Sequence, residues 1–350
     1  MKRTVGLLAF LSLITGCTCP FRSAERDLTQ HVNPFIGAAD NGHTFPGACT
    51  PFGLVQPSPD TGNCTWTYCS GYMYLDESIW GFSQTHLNGT GCPDLGDIQL
   101  QPFTGAIERE NFHSRYKKET QQAKPGYYAV TLDDFGVDVE LTASPRVAFH
   151  RYTFKHAAPA RLLVDLQYGI VSGKEALRKH ILSSDVTVED PTTLSGHNQA
   201  QAWVKRHYFY VVKFDKPYAA IRQLPAREGE KAPRYVLDFD LKPGDTLQVK
   251  VALSTVSVEG AKKNLAAEIP HWNFMKVRAQ AKAAWNTLLA RAEVEGSLEQ
   301  KENFYTAMYH LFIQPNNIAD VDGQYRGADD KVLTAPDKTY YSTLSLWDTY

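Results

Sequence analysis

The run Tyr127-Tyr128-Ala129-Val130-Thr131-Leu132, followed after a short gap by Val137-Asp138-Val139-Glu140-Leu141, sets the fold class of this chain. Both runs are rich in β-branched and aromatic residues, and the second alternates apolar with polar residues, as half-buried strands do. Five similar runs follow, at 147–154, 162–166, 208–214, 235–241 and 247–253. Turn residues such as Pro125-Gly126 separate the runs, and no helical pattern lies between them. The region therefore predicts a sandwich of antiparallel strands.

The period of the apolar residues changes near Ser257. Two sets recur at helical spacing and predict two amphipathic helices: Val277, Ala281, Trp285 and Leu288, then Phe304, Met308, Leu311 and Phe312. Strands followed by helices indicate a β domain joined to a helical one. We predict a sandwich over 18–256, a helical linker over 257–300 and the start of a helical domain over 301–350. Because Thr343 to Tyr350 reads as a helix without a closing cap, we expect that domain to continue past Tyr350.

The segment from Val32 to Leu100 combines Gly, Pro, Asn and Thr with many aromatic residues, a composition that favours packed loops lining a site over a linker. Two stretches within it, 40–47 and 81–91, place His43 and His86 among glycine-permitted turns, where the backbone can approach a ligand closely. Such a density of donors and acceptors suits a polyhydroxylated ligand. The alternative is that both histidines are buried and only organise the loops, which residue type alone favours.

The N-terminus has the pattern of an export signal. Lys2 and Arg3 precede an apolar run from Val5 to Ile14 that is too short to span a bilayer, and Thr15-Gly16-Cys17 follows. Residues 1–17 predict a lipoprotein signal peptide in which Cys17 receives lipid and anchors the protein to a membrane. The following threonine favours the outer membrane. A plain secretory peptide, with Cys17 as a spare thiol, is the alternative.

The charge balance excludes one class of partner. Thirty-six basic and 38 acidic residues give a net charge of −2, so there is no basic surface for nucleic acid. Aromatic residues make up 12% of the chain and can stack on sugars, although most should serve the core. Walker A, nucleophile-elbow and zincin motifs do not occur.

Cysteines and carboxylates form the remaining candidate sites. In an oxidising compartment Cys49, Cys64, Cys69 and Cys92 predict two disulfides with three open pairings, and the absence of a C-x-x-C pair argues against zinc. Carboxylates that could hold calcium, or simply be solvated loop charges, are Asp94, Asp97, Asp320, Asp322, Asp329 and Asp330.

Several motifs, in order, resemble glycoside hydrolase family 92, the bacterial exo-acting α-mannosidases. The N-terminal matches are Val32 to Gly37, Asn41 to Ala48, Pro51 to Pro57 and Gly81 to Gly91. The later matches are Glu140 to Ala143, Ser257 to Ala261, Phe304 to His310, Tyr325 to Gly327 and Ser345 to Tyr350. The Cys92-Pro93 insertion departs from the family pattern.

The resemblance implies a mainly β-sandwich N-terminal domain, then linker helices and the truncated start of an (α/α)6 barrel. It also implies an inverting, calcium-dependent hydrolysis of mannose-containing glycans, with the acid, the base and most calcium ligands beyond Tyr350. By motif, the sugar-binding residues are His43, Gly62, Trp80, Trp347 and Asp348, with Trp80 stacking on the leaving sugar. The alternative function is a non-catalytic carbohydrate-binding surface lipoprotein, which would need neither the helical end nor Trp347-Asp348.

Overall fold

The computed structural model describes residues 26–108, 111–171 and 180–342. Two antiparallel sheets dominate it. The six-stranded sheet has, in spatial order, β1 (Ser58–Asp60), β3 (Gly81–Ser83), β4 (Gln99–Thr104), β10 (Ala160–Asp165), β15 (Arg234–Phe239) and β14 (Ala220–Gln223). The eight-stranded sheet has β11 (Ile181–Asp190), β12 (Thr193–Gln201), β13 (Lys205–Phe214), β16 (Thr246–Ser254), β9 (Val147–Phe154), β8 (Val137–Ala143), β7 (Tyr127–Leu132) and β6 (Gln122–Lys124).

Two small two-stranded sheets complete the β-structure of the described residues. One pairs β2 (Ser78–Ile79) with β5 (Ser114–Arg115), and the other pairs β17 (Gln324–Arg326) with β18 (Val332–Thr334).

The two large sheets pack face to face as the alternation predicts. Along β8 the residues alternate between buried and half-buried before the strand becomes fully buried near Leu141. Phe214 of β13 meets Phe239 of β15 with ring centroids 5.6 Å apart, which places a β15 face against the larger sheet. The predicted sandwich is confirmed, and the prediction of strands at Tyr127–Leu132 and Val147–Phe154 matches the structure to the residue.

The hairpin of β11 and β12 escaped prediction. Residues along Ile181–Asp190 are mostly exposed or half-buried, so no apolar face marks this strand in the sequence. Thr193–Gln201 is largely buried but carries Ser, Gly, His, Asn and Gln at its centre. Pairing of β11 with β12, and of β12 with β13, rather than local propensity, holds the two strands in the sheet.

Three helices follow the sandwich: α1 (Val258–Glu268), α2 (Phe274–Leu289) and α3 (Leu298–Leu311). Each begins at a side chain that accepts a hydrogen bond from the first turn, respectively Ser257, Asn273 and Ser297, and Ser297 forms a full capping box with Gln300. The predicted apolar face of α2 is confirmed, since Val277, Ala281, Trp285 and Leu288 are buried.

The predicted face of α3 was wrong. Phe304 is 39% and Leu311 45% exposed, whereas Tyr305 and Tyr309 are buried. Tyr309 packs against Trp285 with centroids 4.4 Å apart, so the tyrosine pair at i and i+4 occupies the contact with α2. Of the four residues predicted for this face, Met308 and Phe312 are partly buried.

The helices pack closely on the sandwich. A Cβ on Gly126, in the turn before β7, would lie 2.5 Å from Cβ of Ala281 on α2, so this turn needs glycine at that point. Trp285 donates from Nε1 to the carbonyl oxygen of Cys49 at 2.7 Å. Arg146 forms an ion pair of 2.7 Å with Glu268 at the end of α1. In the part of the chain that the structure describes, no helix is long and apolar enough to cross a membrane.

Candidate functional site

The aromatic N-terminal segment is packed, as predicted. Phe45, Tyr72 and Phe82 are buried to within 1%. Its two glycine-rich stretches lie together, because the amide of Gly89 donates to the carbonyl oxygen of His43 at 2.8 Å. These two loops therefore form one surface, and its polar side chains fall into two contrasting groups.

Beneath the second loop lies a fully paired cluster centred on His86. Nε2 of His86 is 3.0 Å from Oδ1 of Asp60 and 3.1 Å from Oγ of Ser83, and Nδ1 is 2.8 Å from the carbonyl oxygen of Gln56. Asp60 also accepts from the Ser83 amide at 2.9 Å and from Nε2 of Gln99 at 3.0 Å. All of these groups are buried. His86 therefore organises the loop and does not meet a ligand.

His43 is different. Its side chain is 5% exposed, yet neither ring nitrogen has a hydrogen-bond partner among the described residues. Its φ of 52° lies in the left-handed region, which non-glycine residues rarely adopt. Burial lowers the pKa of His43, so the ring is neutral at pH 7 and offers one donor and one acceptor.

Asn88 and His310 bring the loop to the end of α3. The amide of Asn88 donates to Oε1 of Gln314 at 3.3 Å, and its Nδ2 donates to the carbonyl oxygen of His310 at 3.4 Å. Oδ1 of Asn88 and Nε2 of His310 are buried without a partner in the described part of the chain. Burial lowers the pKa of His310 to about 4, which keeps this ring neutral as well. Buried polar groups without partners are rare and point to a ligand or water.

Trp66 packs against His43. It begins the short 3-10 helix Trp66–Tyr68 and is 51% exposed. Its ring meets His43 edge-on, with centroids 4.3 Å apart and planes at 79°. Nε1 of Trp66 lies 3.1 Å from where a Cβ of Gly91 would sit, so glycine allows the indole to rest on the loop. We call His43, Trp66, Asn88 and His310 the junction site.

The chemistry of the junction site is recognition. Two neutral imidazoles and an amide supply donors and acceptors for hydroxyl groups, and an exposed indole matches the C–H face of a sugar ring. The four side chains include no carboxylate. The site can therefore bind and orient a polyhydroxylated ligand, but a glycosidic acid and base must come from other residues.

Comparison with known families decides the identity of the chain. The profile of the glycosyl hydrolase family 92 N-terminal domain matches residues 31–254, and that of the family 92 catalytic domain matches residues 260–350. The chain belongs to glycosyl hydrolase family 92.

Individual relatives agree. An uncharacterized secreted glycosidase of Arthroderma benhamiae is 25% identical over 93% of this chain and 46% of its own length. A family GH92 α-mannosidase of Bacteroides thetaiotaomicron, solved with mannoimidazole, is 32% identical with a TM-score of 0.84 over 92% of this chain and 45% of that one. An inverting GH92 mannosidase of the same organism, at 23% identity, shares the fold with a TM-score of 0.78 over 90% of this chain and 44% of that one. The family 92 chain described here thus spans about half the length of these relatives.

The residues predicted for sugar binding lie in different places. Gly62 packs beneath the ring of Tyr68, where a Cβ would lie 2.5 Å from the ring. Trp80 stacks on His113 with centroids 4.3 Å apart and lines a separate cavity, whereas Trp66 is the tryptophan beside His43. Trp347, Asp348 and Cys17 lie outside the described residues.

The described residues do not fit a calcium site. Among them, no group of three or more His, Cys, Asp or Glu side chains is placed to hold a metal ion. The acidic loop is already engaged: Asp320 with Ser254 and Asn264, Asp322 with Lys263, Asp329 with Lys331, and Asp330 with Lys205. Calcium stays a prediction from the family resemblance.

Asp94 and Asp97 are neither solvated nor metal ligands. Both are buried and share the guanidinium of Arg206, whose Nε lies 2.9 Å from Oδ2 of Asp97. Asp94 also accepts from the amide of Trp203 at 3.0 Å. The pair therefore ties the segment after the Cys92-Pro93 insertion to the β12–β13 hairpin.

The expectation of two disulfides is not met. Cys49, Cys64, Cys69 and Cys92 are all free thiols in the structure. Cys49 is buried with Sγ 3.5 Å from the hydroxyl of Tyr309, and Sγ of Cys69 donates to the carbonyl oxygen of Trp66 at 2.9 Å. Both thiols are therefore packed in place, Cys49 beneath α3 and Cys69 at the end of the 3-10 helix, and neither forms a cross-link.

Three junction residues escaped selection from the sequence. Trp66 is one aromatic residue among many in its segment, and nothing local separates it from Trp80. Asn88 and His310 are 222 positions apart, so their contact has no signature in the sequence. A helical histidine one turn before a proline, as His310 stands before Pro315, is at most a weak indication.

Proposed function

We propose that the protein containing this chain is an exo-acting α-mannosidase that removes terminal α-linked mannose from mannans or N-glycans with inversion. Membership of family 92 and the mannoimidazole-bound relative support the proposal. In it, the general acid and base come from residues beyond Tyr350, and this chain supplies sugar recognition.

The junction site carries the proposal. His43 and Asn88 belong to the region matched by the N-terminal domain profile, and His310 belongs to the region matched by the catalytic domain profile. Each of the three has a buried side-chain atom without a partner in the described part of the chain, and the loop of His43 and Asn88 contacts the end of α3 at His310. A site built from two domains is the arrangement that an exo-acting enzyme needs to enclose one terminal sugar.

Inversion assigns the remaining roles. The base removes a proton from water, whose oxygen attacks C1 from the face opposite the leaving group. The acid donates a proton to the leaving oxygen as the C–O bond breaks, and the two carboxyls stand about 6.5–9.5 Å apart. Calcium, held by ligands mostly outside this chain, would engage sugar hydroxyls. In this scheme Asp348 accepts hydrogen bonds from the terminal mannose beside Trp347, Gly62 shapes the wall, and Trp66 rather than Trp80 contacts the leaving sugar.

We also propose that the protein is exported and anchored to a membrane. The lipobox pattern at Cys17 and the secreted description of the Arthroderma relative support export. Lipidation of Cys17 would anchor the protein to the outer membrane, and labelling with a radioactive fatty acid, abolished by Cys17→Ser, tests it.

The decisive experiment compares this chain with a protein extended to the length of its relatives. With calcium, the long form should hydrolyse p-nitrophenyl α-mannoside and the 350-residue chain should not, and EDTA should abolish the activity. Trp66→Ala should lower kcat/KM on an α-mannobiose about 10–100-fold, since stacking on the leaving sugar is lost, whereas Trp203→Ala, another exposed tryptophan, should change it less than twofold. Turnover by the short chain, or an inert long form that still binds mannosides, would refute the assignment of roles and favour the binding lipoprotein.

A further inference from the structure

A cavity of about 620 Å³ opens on the outer face of the six-stranded sheet. Asp165 of β10 pairs directly with Gln99 of β4 and Arg234 of β15, so these three side chains share one face. Phe239 of β15, at odd spacing from Arg234, faces the larger sheet through Phe214. Because side chains alternate along a strand, the cavity lies on the side turned away from the sandwich core.

One wall of the cavity is aromatic. Trp80 and His113 stack with centroids 4.3 Å apart and planes at 6°, and both rings line the space. Burial, reinforced by the charge of Arg227, lowers the pKa of His113 to about 4, so the pair is uncharged at neutral pH. Trp80 was singled out from the sequence as a sugar platform, but the junction site makes no use of it.

The polar side of the cavity holds a buried amide. Asn63 is 4% exposed and lines the space. Its main-chain carbonyl oxygen accepts from the amide of Val171 at 2.9 Å, which fixes the backbone at this point. A side-chain amide in the lining of a cavity offers both donors and an acceptor to a ligand.

Among the described residues, the charges that line the cavity are balanced. Asp165 and Glu230 oppose Arg227 and Arg234, and Arg234 contacts Glu230 at 3.3 Å. A net charge on the ligand would therefore gain little. The volume falls in the range of small-molecule sites, about 300–1,000 Å³, and suits one or two pyranose rings.

We propose that this cavity is a second sugar-binding site, separate from the junction site, which takes a neutral mono- or disaccharide unit of a glycan. None of the four junction residues lines it. The site would hold a second part of a polymeric substrate without taking part in hydrolysis. The proposal goes beyond the mannosidase function and does not depend on it.

The test titrates the full chain with methyl α-mannoside and α-mannobiose by saturation-transfer NMR and calorimetry. Asn63→Ala should weaken binding at the second site about tenfold, because the amide that lines the cavity is lost. Trp80→Phe should weaken it as well. Trp66→Ala should abolish binding at the junction site only, and Gln122→Ala, on the exposed edge strand β6, is the matched control.

Two binding events in the wild-type chain, one lost in Asn63→Ala and the other in Trp66→Ala, would support the second site. A single event that is lost in Trp66→Ala and unchanged in Asn63→Ala would overturn it while leaving the proposed function intact. No binding in any variant would overturn it as well. In the long form, Asn63→Ala should leave kcat on p-nitrophenyl α-mannoside unchanged, so failure of the second site and failure of the mannosidase proposal stay distinguishable.

Discussion

The two polar groups around the glycine loop differ in whether their hydrogen bonds are satisfied. Beneath the loop, His86, Asp60, Ser83 and Gln99 satisfy one another within 2.9 to 3.1 Å. Above it, His43, Asn88 and His310 hold buried atoms without partners in the described part of the chain. Both groups contain histidine and are removed from solvent, so the presence of a buried histidine does not tell them apart.

The difference separates structure from recognition. A paired buried cluster contributes to stability. Removal of one member leaves the other members buried without a hydrogen-bond partner, which is destabilising. An unpaired cluster already bears a cost of about 1–3 kcal/mol for each group, which a ligand can recover. Satisfaction of hydrogen bonds, rather than the presence of histidine, therefore identifies the site.

The largest expected effect is in the paired cluster. Asp60→Ala should lower the free energy of unfolding by about 3–5 kcal/mol, because it leaves His86, Ser83 and Gln99 buried without their acceptor. Urea denaturation of the purified chain measures it. Asp240→Ala, on an exposed carboxylate, is the control and should change stability by less than about 0.5 kcal/mol. A loss below 1 kcal/mol for Asp60→Ala would mean that the cluster does not hold the loop.

The acid response should be intermediate in size and arise from buried neutral histidines. Burial lowers the pKa of His310 to about 4 and of His150 to about 3, against an ordinary value near 6.5. Below pH 6.5 the unfolded chain binds protons that the folded chain does not, so stability falls as the pH drops and stops falling below about pH 4 for His310. His310→Gln should remove about 2–3 kcal/mol of this loss, whereas Gln122→Ala, which removes an exposed side chain without a titratable group, should remove none.

Melting curves between pH 7 and 4 decide the point. An unchanged pH dependence in His310→Gln would show that this ring takes up a proton in the folded chain and is accessible to water.

How far the sequence predicts this molecule depends on which contacts are local. The strand Val147–Phe154 and the buried stripe of Val277, Ala281 and Trp285 follow from periods of 2 and 3.6, and both are confirmed. The prediction for the α3 face was wrong because Tyr305 and Tyr309 are the buried residues, with Tyr309 packed against Trp285 of α2. Tyrosine is less hydrophobic than phenylalanine or leucine, so the local pattern favours Phe304 and Leu311 instead.

The site shows the same limit. His43 could be selected because glycines surround it, and Gly62 and Trp80 were selected by motif. The roles of Trp66 and His310 depend on contacts made across the chain, so the sequence could not separate Trp66 from Trp80. Which histidine is paired, His86 or His43, depends on where Asp60 and Ser83 fall in space.

The smallest expected change in stability belongs to the unpaired cluster, and it is the sharpest test of the comparison. His43→Asn keeps a residue that tolerates a φ of 52°, and it removes a ring whose nitrogens have no partner in the described structure. The free energy of unfolding should therefore change by less than about 1 kcal/mol, in either direction.

Affinity of the His43→Asn variant for methyl α-mannoside at the junction site should nevertheless fall about tenfold, since one hydrogen bond to a sugar hydroxyl is lost. Gln122→Ala, at an exposed amide on the edge strand β6, serves as the control for the titration. If His43→Asn instead unfolds the chain while sugar affinity survives in the residual folded protein, then His43 belongs with His86 as a structural residue, and the division between paired and unpaired clusters fails.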